Sequence, residues 1–228
     1  MSTSPTTDRR RSAALARRRA RERDILAATR ALFDERGVRD AQIEDVARAV
    51  GVNRAIIYRH FSGKEELFAL TLVSYLDQLD EQLRKVSTRT APKRRVKELT
   101  ETFVDFGLAY PAFVDCAQTL MRRPGPELLE EISESALFRL GRGIAGCLRS
   151  LTDALEAGVE SGDFQIDDVH LLANTLYATG LGALQLARVG MLVKEAAPGV
   201  PMVAPLSHAQ VRSHLVASAL ALTTRRRP

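Results

Sequence analysis
The chain is predicted to be all-α: an N-terminal three-helix helix-turn-helix unit followed by a larger helical body. Three observations lead there. Apolar residues recur at helical spacing almost from end to end. No strand-length β-branched run bounded by turn signals occurs. Glycine and proline fall at helix-length intervals. With 228 residues, 45% of them hydrophobic, the chain can bury a sizeable core. Aromatics are 5% and tryptophan is absent.

Residues 1–20 hold Ser, Thr, Pro5 and the triplets Arg9–Arg11 and Arg17–Arg19, a composition expected of a disordered basic arm that turns helical towards its end. Ile25, Ala28, Thr29, Leu32 and Phe33 then mark one face of a first helix, stopped by Gly37. Ile43, Val46, Ala47 and Val50 mark a second, stopped by Gly51. Asn53 is placed to cap a third, which buries Ile57 and Phe61. Ser62-Gly63-Lys64-Glu65 has the pattern of a capping box opening a fourth. Further helices are expected near 64–87, 93–109, 112–122, 127–161, 168–195 and 207–225, with Pro92, Pro111, Pro124 and Pro126 between them. Residues 197–205 read as a loop, and Ser207 with Gln210 as the box that caps the last helix. The division is thus a basic arm over 1–20, a helix-turn-helix domain over 21–66 and a helical domain over 67–228.

Charge divides along the same line. Residues 1–64 carry 15 Lys and Arg against 8 Asp and Glu, a net of +7, and the remainder carries 18 against 20, a net of −2. A basic first quarter suits a polyanion, although a solvated Arg-rich tail, or an organelle transit peptide, has similar composition. Two cysteines, Cys116 and Cys147, make no disulfide scaffold and read as small buried hydrophobes in a reducing compartment. The longest apolar run, Leu171 to Ala187, is short for a membrane span and contains Asn174, Thr175, Thr179 and Gln185. No membrane partner is expected.

Two short helices separated by "GVN" have the spacing of a helix-turn-helix. Ala47 is small where they cross, and Gly51 can take the left-handed turn conformation. With Ile57 and Phe61 inward, Arg54 and Tyr58 point outward together, with Arg59 beside them. Such a helix fits a major groove, and its first residues reach base edges. Arg54 can pair with guanine, and Ala55 and Ile56 can meet a thymine methyl. Tyr58, His60 and Lys64 suit phosphate oxygens, as do helix N-terminal amides around Gln42 and Lys64. His60 reads equally well as a packing residue. The DNA-binding set is therefore Gln42, Asn53, Arg54, Ala55, Ile56, Tyr58, Arg59, His60 and Lys64.

Residues 25–67, "ILAATRALFDERGVRDAQIEDVARAVGVNRAIIYRHFSGKEEL", resemble the N-terminal domain of TetR-family transcriptional regulators. The resemblance rests on the ALF of the first helix, the IxxVAxxxGV core, the YxHF block and the KEEL that opens the fourth. It implies a homodimeric, ligand-responsive repressor on a pseudo-palindromic operator, usually bacterial, cytoplasmic and nucleoid-associated when bound. It places base reading on Arg54, Ala55 and Ile56, and phosphate contact on Tyr58, His60 and Lys64. Ala41-Gln42 departs from the Thr-Thr or Ser-Thr pair common at that place, and Glu44 stands where basic or polar residues are usual. The resemblance also implies dimerisation through about 170–190 and 208–222, where Ala178, Gly182, Ala183, Ala187, Ala217, Ala219 and Ala221 make small-residue surfaces. Burial within one subunit is the other reading of those stretches. Phe103, Phe106, Tyr110, Phe113, Met121, Phe138 and Tyr177 are core residues or the lining of a site for a small apolar ligand.

"GRGIAG", Gly141 to Gly146, matches a dinucleotide fingerprint, with Asp163, Asp167 and Asp168 about 20 residues on. A strand should precede it, and a helical pattern does. A nucleotide-dependent enzyme is therefore the lesser alternative, beside a non-specific basic DNA-binding protein. His60, His170, His208 and His214 form no HExxH, no zinc spacing exists, and no nucleophile motif or Walker loop appears. The chain is read as a non-enzyme without cofactor or metal.

Overall fold
A computed structural model describes residues 5–224. In order, the helices are α1 Pro5–Arg36, α2 Ile43–Ala49, α3 Arg54–His60, α4 Lys64–Leu83, α5 Pro92–Ala109, α6 Pro111–Met121, α7 Gly125–Glu131, α8 Glu134–Glu160 and α9 Val169–Val189. A hairpin of β1 Met191–Ala197 and β2 Val200–Pro205 precedes α10 His208–Thr223. The all-α expectation holds but for that hairpin.

The arm expected over 1–20 lies outside the described residues at 1–4, and over 5–20 it is helical and continuous with α1. The physical reason is local: Ala and Arg are strong helix formers, and the packed second half supplies the nucleus that propagation needs. That second half buries Ile25, Leu26, Thr29, Leu32 and Phe33. Gly37, at φ +82°, ends it.

Helix α4 is the axle of the molecule, with Tyr75, Leu76 and Leu79 fully enclosed. It packs on α1 and α6 and, most extensively, on α8. The α4–α8 contact explains two of the three glycines, while Gly141 faces open space. A Cβ on Gly143 would lie 3.2 Å from Leu76 Cδ1, and one on Gly146 would lie 3.3 Å from Asp80 Oδ2. They sit inside a 27-residue helix with no strand before them, so the fingerprint is a close-packing device and the nucleotide alternative loses its structural basis.

Three local expectations are corrected. Ser62 and Glu65 do not form a capping box: Gly63 is the N-cap of α4, and the Glu66 carboxylate accepts from the Ser62 backbone N–H at 2.7 Å instead. The helix expected over 127–161 breaks at Ile132–Ser133, because Ser133 caps α8 by accepting from Ala136 N. The helix expected over 168–195 stops at Gly190, φ +70°, and Val193, Val200 and Val203 favour a strand conformation around a turn at Gly199, φ +76°. By contrast, Asn53 and Ser207 cap α3 and α10 as expected, the latter with Gln210 in a full capping box. Among the described residues no helix is long and apolar enough to cross a membrane.

Candidate nucleic-acid interface and ligand cavity
The α2–α3 pair is held from beneath. Ile43, Val46, Ala47, Ile57 and Phe61 are buried, and Val52 N donates to Ala47 O at 2.9 Å across a turn in which Gly51 has φ +67°. That anchoring leaves the opposite face of α3 in solvent. Arg54, Ala55, Tyr58 and Arg59 are exposed, as are Gln42, Asn53 and Lys64 around them, and Ile56 is half-buried. Asn53 uses its side chain as the cap, accepting from Ile56 N at 3.1 Å. Ala41 is buried, so its side chain has no part in the outer surface.

Arg54 is not loose. Its guanidinium donates to Tyr58 Oη at 3.1 Å and to Glu44 Oε1 at 2.7 Å, and lies 5.3 Å from the Tyr58 ring centre. The bond to Tyr58 and the charge of Glu44 hold its pKa above the ordinary arginine value. Glu44 therefore orients the arginine in the free protein. An exposed pair of this kind is weak and exchangeable.

His60 is half-buried, and its Nδ1 is enclosed without a partner. Burial, then the charge of Arg18, push its pKa down; Glu22 opposes them, and Arg21 adds a smaller push downward. The ring is neutral at pH 7 and stands where α3 meets α1. Arg17, Arg18 and Arg21 line a concave surface there together with Ile56, Arg59 and His60. These three arginines stand at helical spacing on α1, a placement that composition, which marked the segment only as basic, could not give.

Several contacts tie this unit to the body. The Glu66 carboxylate, already held by Ser62 N, accepts from Ser133 Oγ at 2.6 Å, and Ser62 Oγ donates to Glu131 O at 3.2 Å. Burial opposes ionisation of Glu66, but the hydrogen bonds from Ser133 and Ser62 outweigh it and lower its pKa. On the other side Arg139 pairs with Glu22 at 2.5 Å. Arg30 stacks 4.1 Å from the Tyr75 ring centre and donates to Ser74 O, while Tyr75 Oη donates to Asp34 at 2.7 Å.

The body holds an apolar cavity of about 60 Å³ between α4, α5, α8, α9 and α10. Leu79, Phe103, Cys147, Leu151, Tyr177 and Leu215 are among its walls. Burial pushes the Cys147 thiol up to about 12 and raises the Tyr177 hydroxyl still further, so both walls stay uncharged. Of the seven aromatic and methionine candidates, only Phe103 and Tyr177 line it. Phe106 and Phe113 are buried core, ring centres 5.3 Å apart, and Tyr110 accepts from Gln78 Nε2. Met121 and Phe138 are 56% and 70% exposed on the outside. Their helical phase, which the sequence leaves open, turns them away.

A helix-turn-helix with an exposed Arg-Tyr face, joined to a helical body that encloses an apolar void, defines a regulator of the DNA-binding class. Residues 25–70 match the model of the bacterial regulatory proteins of the tetR family. The transcriptional repressor KstR2 of Rhodococcus jostii is 27% identical over 171 residues, covering 75% of this chain and 81% of that one. The transcriptional activator FasR of Mycolicibacterium smegmatis is 32% identical over 87 residues, 38% of this chain, and the match spans only 40% of FasR. In structure, RolR in complex with resorcinol superposes with a TM-score of 0.67 at 16% identity, covering 92% of this chain and 91% of RolR. FadR of Bacillus subtilis in complex with stearoyl-CoA superposes with a TM-score of 0.61 at 14% identity, covering 87% of this chain and 97% of FadR. Residues 25–70 thus carry the N-terminal domain of the TetR family, and the helical body shares the fold of these solved structures.

Proposed function
We propose that the protein is a homodimeric repressor that binds a pseudo-palindromic operator and leaves it when a small apolar ligand enters the body. The observation that carries this is the exposed Arg54–Tyr58 face over buried Ile57 and Phe61. Arg54, Ala55 and Ile56 read bases; Gln42, Asn53, Tyr58, Arg59 and Lys64 meet phosphates, with His60 at the rim. Arg17, Arg18 and Arg21 extend the phosphate track along α1. Residues 21–66 form the DNA-binding domain and 67–228 the ligand-binding and dimerisation domain, working in the bacterial cytoplasm. Dimerisation uses α9 and α10: each has one formally charged side chain, Arg188 or Arg212, and each is paired within the subunit, to Asp115 and to Glu101 and Asp105. An apolar void lined by Phe103 and Tyr177 suits a small, mostly apolar ligand.

The test is selection of bound sites from random duplexes, followed by Arg54→Ala. The wild type should enrich an inverted repeat, and the variant should lose discrimination at one base position per half-site by about tenfold or more. Equal losses on every sequence would contradict a base-reading role.

A further inference from the structure
The hairpin between α9 and α10 is a large apolar feature that neither DNA reading nor the cavity uses. Its register pairs Met191 with Pro205, Val193 with Val203 and Glu195 with Pro201. Residues directly opposite share a face, so Met191, Val193, Val203, Pro201 and Pro205 form an apolar surface with Glu195 at its end nearest the turn. Val193 and Val203 are 76% and 60% exposed. The other face carries Leu192 and Ala204, which are half-buried, and Lys194 and Met202, which are exposed. An isolated two-stranded hairpin is marginal in water, and one with its apolar face in solvent is worse placed still.

We infer that this face is an arm that packs on a second copy of the chain, beside the α9–α10 contact. The inference rests on the dimer reading above. Three features select a second copy as the occupant. The hairpin is continuous in chain and surface with α9, whose outer side shows Leu171, Ala178, Gly182, Leu186 and Val189 to solvent. That row of residues is uncharged, which matches what the valines of the hairpin require. An element next to a two-fold axis meets its own equivalent surroundings on the partner, so the contact closes without leaving an open end. Pro201 and Pro205 have no N–H to donate, which restricts ladder extension along β2 and favours packing on the face.

The experiment is sedimentation of the full chain over a concentration series, with Val193→Asp/Val203→Asp as the test pair and Ala178→Arg/Gly182→Arg as the control for the helical contact. The hairpin pair should weaken self-association at least tenfold with unchanged circular dichroism. If the aspartates disturb folding, Val193→Ser/Val203→Ser is the milder pair and should still shift the equilibrium. Amides over 191–205 should exchange more slowly in the dimer than in the dilute monomer. A helical variant that dissociates while both hairpin pairs associate like wild type overturns the arm and leaves the dimer standing. A wild type that is monomeric at every concentration removes both.

Discussion

Replacing Arg17, Arg18 and Arg21 together by alanine tests whether α1 is part of the DNA-binding surface. All three are exposed and line one concave surface with Arg59 and His60. Alanine keeps the helix, so the change removes charge without unravelling α1. Each phosphate neutralised contributes about −0.9 to the slope of log K against log salt. Three per subunit, and six on a full operator, therefore make the slope shallower by about 5 if every one is engaged. Fluorescence anisotropy of a labelled operator, titrated from about 50 to about 200 mM salt, gives that slope directly. A slope within about 1 of wild type means that α1 does not follow the phosphates, and the reading of this cleft fails. The same variant should raise the pKa of His60 part of the way back, because Arg18 and Arg21 are the charges that depress it after burial.

The other predictions are smaller in scope. Ile57→Ala should cost about 3 kcal/mol of stability, because the side chain is fully buried under α3; thermal unfolding measures it, and a loss below about 1 kcal/mol would show the anchor to be loose. Glu66 has a folded pKa below its unfolded value, so its contribution is fully present above the unfolded pKa and is lost as pH falls through the folded one. Glu66→Gln should therefore flatten the acid limb of a stability-against-pH curve below about pH 4.5; an unaltered limb refutes the assignment. A Cβ on Gly180 would sit 2.6 Å from Phe103 Cε1, so Gly180→Ala should push that ring into the cavity and weaken binding of an apolar fluorescent dye about tenfold; equal dye affinity would place the dye elsewhere.

The helix-turn-helix was legible because its signals are local. Asn53 caps, Gly51 turns, and Ile57 and Phe61 lie one turn apart. Each works within a few residues, so spacing alone recovers it. Glu66 shows the limit. In the sequence it is one acid of a KEEL helix start, and only the fold brings Ser133, 67 positions away, to its carboxylate. The cavity walls were hidden for a similar reason. Leu79, Leu151 and Leu215 look like any core leucine, since a void exists only where five helices fail to meet. Met121 and Phe138 misled because residue type carries no helical phase. At the hairpin the loop expected over 197–205 is in fact a turn followed by β2; the apolar run before it continued the α9 pattern, and only Gly190 marked the change.

The hydrogen bond between Ser133 and Glu66 has a mechanical consequence. Ser133 begins a rod whose middle, at Cys147 and Leu151, forms the wall of the void. From Leu151 back to Ser133 is about 27 Å at 1.5 Å per residue, so a tilt of about 5° pivoting at the wall swings the serine through about 2 Å. The serine grips the same carboxylate that receives the amide of Ser62, the second residue past the end of α3. A tilt of α8 about the wall is thus felt most where Ser133 meets Glu66, at the junction of the helix-turn-helix with the body.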